Sequence, residues 1–138
     1  MDDYSKFLIK EYKYWLLQVS EKQAYLGRCV IWCKRSNAEE LADATDEEVE
    51  EFLSIVKELQ KAEKEAFNAE WFNYTFLGNG TRHLHCHFIP RYSSSREFAG
   101  QIFEDHLWGH NPYRGEKESP TDPEIIEKVR IRLKELLD

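Results

Sequence analysis

The sequence predicts a single α+β domain built on an antiparallel sheet. Three observations predict it: two pairs of strand-like segments, a long capped helix between the pairs, and a second amphipathic helix at the end. A chain of 138 residues suffices for one hydrophobic core and is short for two, so residues 1–138 are read as one domain.

The first strand pair is Tyr14-Trp15-Leu16-Leu17-Gln18-Val19 and the stretch from Tyr25 to Lys34. Both are rich in aromatic and aliphatic residues and a short polar gap separates them, the pattern of an antiparallel hairpin. In the second strand Cys29, Ile31 and Cys33 share one face and Val30 and Trp32 the other, which suits a central strand covered on both sides. Cys29, Cys33 and Cys86 are an odd set without a Cys-x-x-Cys pair, so they are read as reduced core residues.

Thr45-Asp46-Glu47-Glu48 makes a capping box, and Val49, Phe52, Leu53, Val56 and Leu59 then recur at helical spacing toward Phe67. Asp46, Glu47, Glu48 and Glu50 complement the helix dipole, with Lys57, Lys61 and Lys64 following toward the other end. The second strand pair runs from Trp71 to Leu77 and from Arg82 to Ile89 around the turn signal Gly78-Asn79-Gly80. From Pro90 to Ser119 the aromatics Tyr92, Phe98, Phe103, Trp108 and Tyr113 stand among Gly, Ser and Pro without sustained periodicity, as in an ordered loop that packs over something. Asp122-Pro123 opens the last helix as N-cap and first-turn proline, and Ile125, Val129, Leu133 and Leu136 run down one face.

A net charge of −7 with no cluster of Lys and Arg opposes binding to nucleic acid. No apolar run approaches the roughly 20 residues that span a bilayer, and Met1-Asp2-Asp3-Tyr4 lacks the basic start of a signal peptide. A cytoplasmic protein with no membrane partner is therefore expected.

The chemistry concentrates in His83, His85 and His87. In a strand these three project from one face, spaced by about 7 Å per step of two, while Leu84, Cys86 and Phe88 line the other. An imidazole attacks phosphorus well when one nitrogen is unprotonated and the other is held by a hydrogen bond, and flanking groups can then hold the phosphate. His85, between two other rings, is the best-placed nucleophile.

The segment His83-Leu84-His85-Cys86-His87-Phe88-Ile89 resembles the signature of the histidine triad (HIT) superfamily. Leu26-Gly27-Arg28-Cys29-Val30-Ile31, Glu40 to Glu48, Leu77-Gly78-Asn79 and Pro90-Arg91-Tyr92 resemble further segments of bacterial-type HIT proteins in the same order. The resemblance implies a HIT-like fold with a five-stranded antiparallel sheet, a homodimer, and cleavage or transfer of nucleotides at the α-phosphate. It makes His85 the nucleophile that forms a nucleotidyl-histidine, gives His87 contact with the phosphate and the departing group, and leaves His83 to support the site. Asn79, with Gly78 and Gly80, falls where relatives bind the bridging phosphates. Ser20 falls where many carry an Asp or Asn for the ribose, and Arg28 where many carry a further histidine. Arg91 is a candidate for the extended phosphates of a dinucleoside polyphosphate. No cofactor is required on this reading, although a divalent ion could accompany a polyphosphate substrate.

Two rivals stand beside it. All five histidines lie between 83 and 110, and His106 and His110 form an i, i+4 pair, so a metal-dependent hydrolase is one alternative. No Asp or Glu interrupts the string, and no metal ligand is assigned. A nucleotide-binding protein without turnover is the other. His106, Trp108 and His110 are read as loop residues packing over the site.

Overall fold

In the computed structural model, which describes residues 5–114 and 120–138, five strands form one antiparallel sheet. They are β1 (Leu8–Glu11), β2 (Trp15–Val19), β3 (Cys29–Cys33), β4 (Trp71–Thr75) and β5 (His85–Arg91), in the spatial order β1-β2-β3-β5-β4. The readings placed on residues 1–4 and 115–119 lie outside the described residues. Among the described residues no helix is long and apolar enough to cross a membrane.

Cys29, Ile31 and Cys33 of β3 join Cys86 and Phe88 of β5 in one buried cluster with Ile55, Leu59, Val129 and Leu133 of the two helices. Helices α1 (Asp46–Phe67) and α2 (Pro123–Leu137) therefore cover one face of the sheet. On the other face Val30 and Trp32 are only half-buried. Strand β3 is central, as expected, but the expected cover on both sides is corrected to cover on one. The register pairs Trp32 with His85 and Val30 with His87, so the less covered face of β3 borders the histidines.

The capping box at the start of α1 is formed: Glu48 N–H donates to Thr45 Oγ1, and Thr45 N–H donates back to the Glu48 carboxylate. The buried stripe differs from the predicted one. Ile55, Leu59, Ala62, Glu63 and Phe67 face the core, whereas Val49 and Leu53 are 40% and 53% exposed. The helix thus carries two apolar stripes, and spacing alone merged them. Asp122 caps α2 by accepting Glu124 N–H, and Ile125, Val129 and Leu133 bury as expected.

Beyond the sheet, β6 (Arg96–Phe98) and β7 (Gln101–Phe103) make a small hairpin where the sequence predicts loop. Its turn is Ala99-Gly100, with both residues at positive φ (53° and 79°). That is the mirror-image two-residue turn that suits hairpin twist, and alanine at its first position hid it.

Glu63 is the anomaly of the core. It is fully buried on α1, and neither carboxylate oxygen has a hydrogen-bond partner among the described residues. A Cβ built on Gly27 would lie 2.0 Å from Glu63 Oε2, and Gly27 holds φ at +89°. Glycine at 27 is thus required twice, for its backbone and for the carboxyl packed against it. Desolvation raises the Glu63 pKa well above the ordinary 4.5, so the folded protein keeps a proton that the unfolded chain releases. This stabilisation is fully present below pH 4.5 and is lost as pH rises toward the folded pKa. Wild-type stability is expected to fall by up to about 1.4 kcal/mol per pH unit above that point, while Glu63→Gln loses the slope. Urea unfolding of both proteins from pH 4.5 to 8 checks this, and equal slopes would contradict it.

Candidate active site

The histidines are held from both ends of their segment. Strand β5 starts at His85, so His83 precedes it and does not belong to the strand as predicted. Pairing nevertheless continues around His83: Cys33 N–H donates to Leu84 O and Leu84 N–H donates to Ala38 O. His83 Nε2–H donates to Cys33 O, and its ring stacks on Trp32 at 4.7 Å and 8°. Both nearest groups of His83 are thus protein, which gives the ring a supporting position.

His85 Nδ1 lies 2.5 Å from the His83 carbonyl oxygen. A carbonyl oxygen only accepts, so Nδ1 carries a proton, and whenever the ring holds a single proton Nε2 is the nitrogen with the lone pair. The indole of Trp32 lies 4.8 Å from the His85 ring on one side and the His87 ring 5.2 Å away on another. The histidine rings tilt to approach more closely than the strand repeat of about 7 Å.

His87 is set by a different partner. Arg28 Nη2 lies 3.4 Å from His87 Nδ1, and a guanidinium only donates, so Nδ1 accepts and the proton sits on Nε2. Burial, helped by the positive charge of Arg28 and then by His85 and Lys22, pushes the His87 pKa down to about 4. At neutral pH it is a neutral ring with an N–H to offer.

The loop between β2 and β3 positions Arg28. Buried Gln23 donates from Nε2 to the carbonyls of Ser20 and Arg28 and accepts Gly27 N–H at Oε1. Ser20 lies opposite Arg28, its N–H donating to the Arg28 carbonyl, and its hydroxyl accepts Lys22 N–H. It therefore stands beside Arg28 with one lone pair of its oxygen used in a turn. Gln23 was not singled out in the sequence, where a lone glutamine in a polar gap carries no signal.

Strand β4 ends at Thr75, opposite His87, so the loop 76–84 leaves the sheet beside the histidines. Gly78 needs its glycine, with φ at +62°, whereas a Cβ at Gly80 would meet nothing within 4 Å. Asn79 is exposed at the loop's tip.

Arg91 requires a correction. As an arginine it was a candidate for extended phosphates, but the residue is 3% exposed and all five of its N–H donors are used within the protein. They bond Asp105 twice, Asn73, and the carbonyls of Leu107 and His110. Arg91 anchors the loop after β7 and has no donor left for phosphate. That loop returns to the site through Tyr113, whose hydroxyl lies 2.9 Å from Thr75 Oγ1 and whose ring sits 5.7 Å from the Arg28 guanidinium carbon. The expectation of a loop packing over something is met by Tyr113. By contrast His106 is 81% exposed at its side chain, beside Glu104. Trp108, Gly109 and His110 border a cavity of about 430 Å³ with Trp71, Asn73 and Arg91, farther along the sheet than His87.

Among the described residues, no three His, Cys, Asp or Glu side chains are grouped so as to hold a metal ion. The donor set instead suits nucleophilic chemistry, with one imidazole nitrogen left basic and positive charge close by.

Fold and site together define a small α+β protein with neighbouring imidazoles on the less covered face of an antiparallel sheet. Residues 4–94 match the family model of the HIT domain, and the chain belongs to the HIT family. Among solved structures, a histidine triad protein from Sinorhizobium meliloti matches with a TM-score of 0.76 and 19% identity, over 94% of this chain and 87% of that one. One from Marinobacter aquaeolei matches with a TM-score of 0.76 and 20% identity, over the same shares of 94% and 87%. A hypothetical histidine triad nucleotide-binding protein from Sulfolobus tokodaii matches with a TM-score of 0.71 and 17% identity, over 95% and 83%. These likenesses show the fold. No curated protein matches the chain.

Proposed function

We propose that the protein is a nucleotide hydrolase or nucleotidyl transferase acting at the α-phosphate of a dinucleoside polyphosphate or related nucleotide conjugate. Family membership supports a nucleotide-binding, hydrolase or transferase role, and one observation supports covalent catalysis. The His83 carbonyl fixes the proton of His85 on Nδ1 and so leaves Nε2 as the attacking nitrogen.

In the first step a bond forms between His85 Nε2 and the α-phosphorus while the bond to the leaving group breaks, its electron pair departing with that group. In the second, water or inorganic phosphate forms a new P–O bond and loses a proton to solvent, while the P–Nε2 bond breaks and its electron pair returns to Nε2. His87 Nε2–H is proposed to donate a hydrogen bond to the phosphate. Asn79 and the backbone around Gly78 and Gly80 are proposed to meet the remaining phosphate oxygens, and Ser20 the ribose.

Two copies are proposed to pair along the β4 edge and the outer stripe of α1. Trp71 and Leu77 are 66% and 55% exposed on and after β4, Leu53 is 53% exposed on α1, and Gln60 Nε2–H donates to Tyr74 OH between strand and helix. Sedimentation at micromolar concentration tests this pairing, and a monomer would refute it.

Incubation with diadenosine tetraphosphate and with an adenosine phosphoramidate, each with and without inorganic phosphate and EDTA, tests the activity. Adenosine monophosphate is expected from hydrolysis, adenosine diphosphate where phosphate is the acceptor, and EDTA is expected to leave His85 attack intact. Tight nucleotide binding without release of any product would instead identify a binding protein.

A further inference from the structure

Arg28 does more than supply positive charge beside the histidines, because it is the nearest partner of His87 Nδ1, at 3.4 Å. The guanidinium keeps its charge across the physiological range, so it cannot exchange roles with the imidazole. The pair has one arrangement: Arg28 donates, Nδ1 accepts, and Nε2 holds the ring's proton. The arrangement is built in. Arg28 is 5% exposed, its carbonyl is held by buried Gln23, and its guanidinium lies against the Tyr113 ring.

A neutral imidazole in this tautomer can donate a hydrogen bond. It is a poor proton donor at neutral pH, because giving up that proton leaves an imidazolate where an imidazolium would leave a neutral ring. Charge on the remaining neighbours acts in the same direction, since His85 on the same strand and Lys22 on the β2–β3 loop also disfavour a second proton on His87. Among the described residues of the covering loop, Tyr113 is a titratable group that faces Arg28.

We infer that Arg28 is a specificity-determining positioning residue: by holding His87 as a hydrogen-bond donor, it restricts cleavage at the α-phosphate to leaving groups that depart as stable anions. The reasoning rests on the covalent reading of His85. When that ring attacks a phosphoanhydride, the broken P–O bond leaves its electron pair on a phosphate oxygen, which is stable as an anion and needs no proton. When it attacks a phosphoramidate, the broken P–N bond leaves its pair on nitrogen, and departure as an amine requires a proton on that nitrogen. Arg28 keeps its proton, and neutral His87 is a much weaker acid than an imidazolium would be, so neither supplies one effectively. The favoured substrate class is therefore a nucleotidyl group joined to phosphate or polyphosphate, and nucleotidyl amines are disfavoured.

The test is a series sharing one adenylyl group: diadenosine tetraphosphate, adenosine 5′-(p-nitrophenyl phosphate), and an alkylamine phosphoramidate. General acid assistance contributes about 10²- to 10⁴-fold, so wild-type kcat/KM is expected to be lower for the phosphoramidate by about 10³-fold. Arg28→His is expected to narrow that gap at least about tenfold, with a rise in phosphoramidate kcat on the acid side of neutrality, whereas Arg28→Lys retains it. Nitrogen-15 shifts of wild-type His87 are expected to report the Nε2–H tautomer, a readout independent of turnover and of how well any variant folds. Equal cleavage of anhydride and phosphoramidate, an Nδ1–H tautomer, or a gap unchanged in folded Arg28→His would each overturn the inference while leaving His85 as nucleophile. Turnover of no member of the series would overturn the covalent reading itself, and this inference with it.

Discussion

Replacing His85 with alanine or asparagine is expected to lower kcat by about 10⁴-fold or more, the usual cost of removing a nucleophile from a covalent mechanism. The fold should survive, because the His85 ring stands on the half-buried face of the sheet and the core of β5 is made by Cys86 and Phe88 on the other. KM is expected to change far less, since the phosphate contacts assigned to His87 and the loop 76–84 remain. His83→Ala should act more mildly, because the hydrogen bond that orients His85 comes from the His83 backbone carbonyl and not from its ring. Steady-state kinetics with matched circular dichroism spectra check both variants. Full turnover by either His85 variant would contradict the assignment.

The largest expected effect on stability is at Asp105. Its side chain is 1% exposed and that of Arg91 4%, and the two form a bidentate pair. Asp105 also accepts N–H bonds from Tyr92 and Leu107. Asp105→Ala would leave a buried guanidinium without its counter-charge, and breaking such a pair typically costs about 3–5 kcal/mol. Arg91→Met/Asp105→Leu, which removes both charges, is expected to recover a large part of that loss, because the cost lies chiefly in the orphaned partner. Urea unfolding of the two variants checks the comparison. Because the pair anchors the loop that brings Tyr113 to Arg28 and Thr75, Asp105→Ala is also expected to weaken turnover in protein that remains folded. A single variant as stable as wild type would refute the anchoring role.

How far the sequence could be read depended on whether the information was local. The capping box at Thr45, the proline start at Pro123 and the alternation around Ile31 each depend on a few neighbouring residues, and each appears in the structure where it was expected. The shared face of His85 and His87 was legible for the same reason, since one face of a strand is set by parity alone, whereas His83 lies before the strand and is held by Cys33 O and Trp32 instead. Strand β1 was not, because Leu8–Glu11 is short and gains its place by pairing with β2 and packing under α2. The two apolar stripes of α1 could not be separated without knowing where the sheet lies.

Within the site the same division holds. His85 could be named from its string, but its proton arrangement depends on a carbonyl brought into range by the bend at His83. Trp32 could be put on the face of β3 opposite Cys29, Ile31 and Cys33, yet the lighter cover of that face and its place beside His83 and His85 follow from the fold and the register with β5. Arg91 was misassigned because an arginine after a strand looks free in sequence. Asp105, fourteen residues later, and the carbonyls of Leu107 and His110 consume its donors only in the fold.

The central claim is that His85 Nε2 becomes covalently bonded to the nucleotide, and the most direct measurement is to trap and map that bond. Wild-type protein mixed with adenylyl-labelled diadenosine tetraphosphate should be quenched during turnover, digested at mildly alkaline pH, where a phosphorus–nitrogen bond to imidazole survives, and sequenced by mass spectrometry. The account predicts one adenylyl group on the peptide containing His85, at that residue, and none on His85→Asn protein treated alike. An adduct on His83, His87 or another residue, or product release from substrate with no adduct at any quench time, would contradict it.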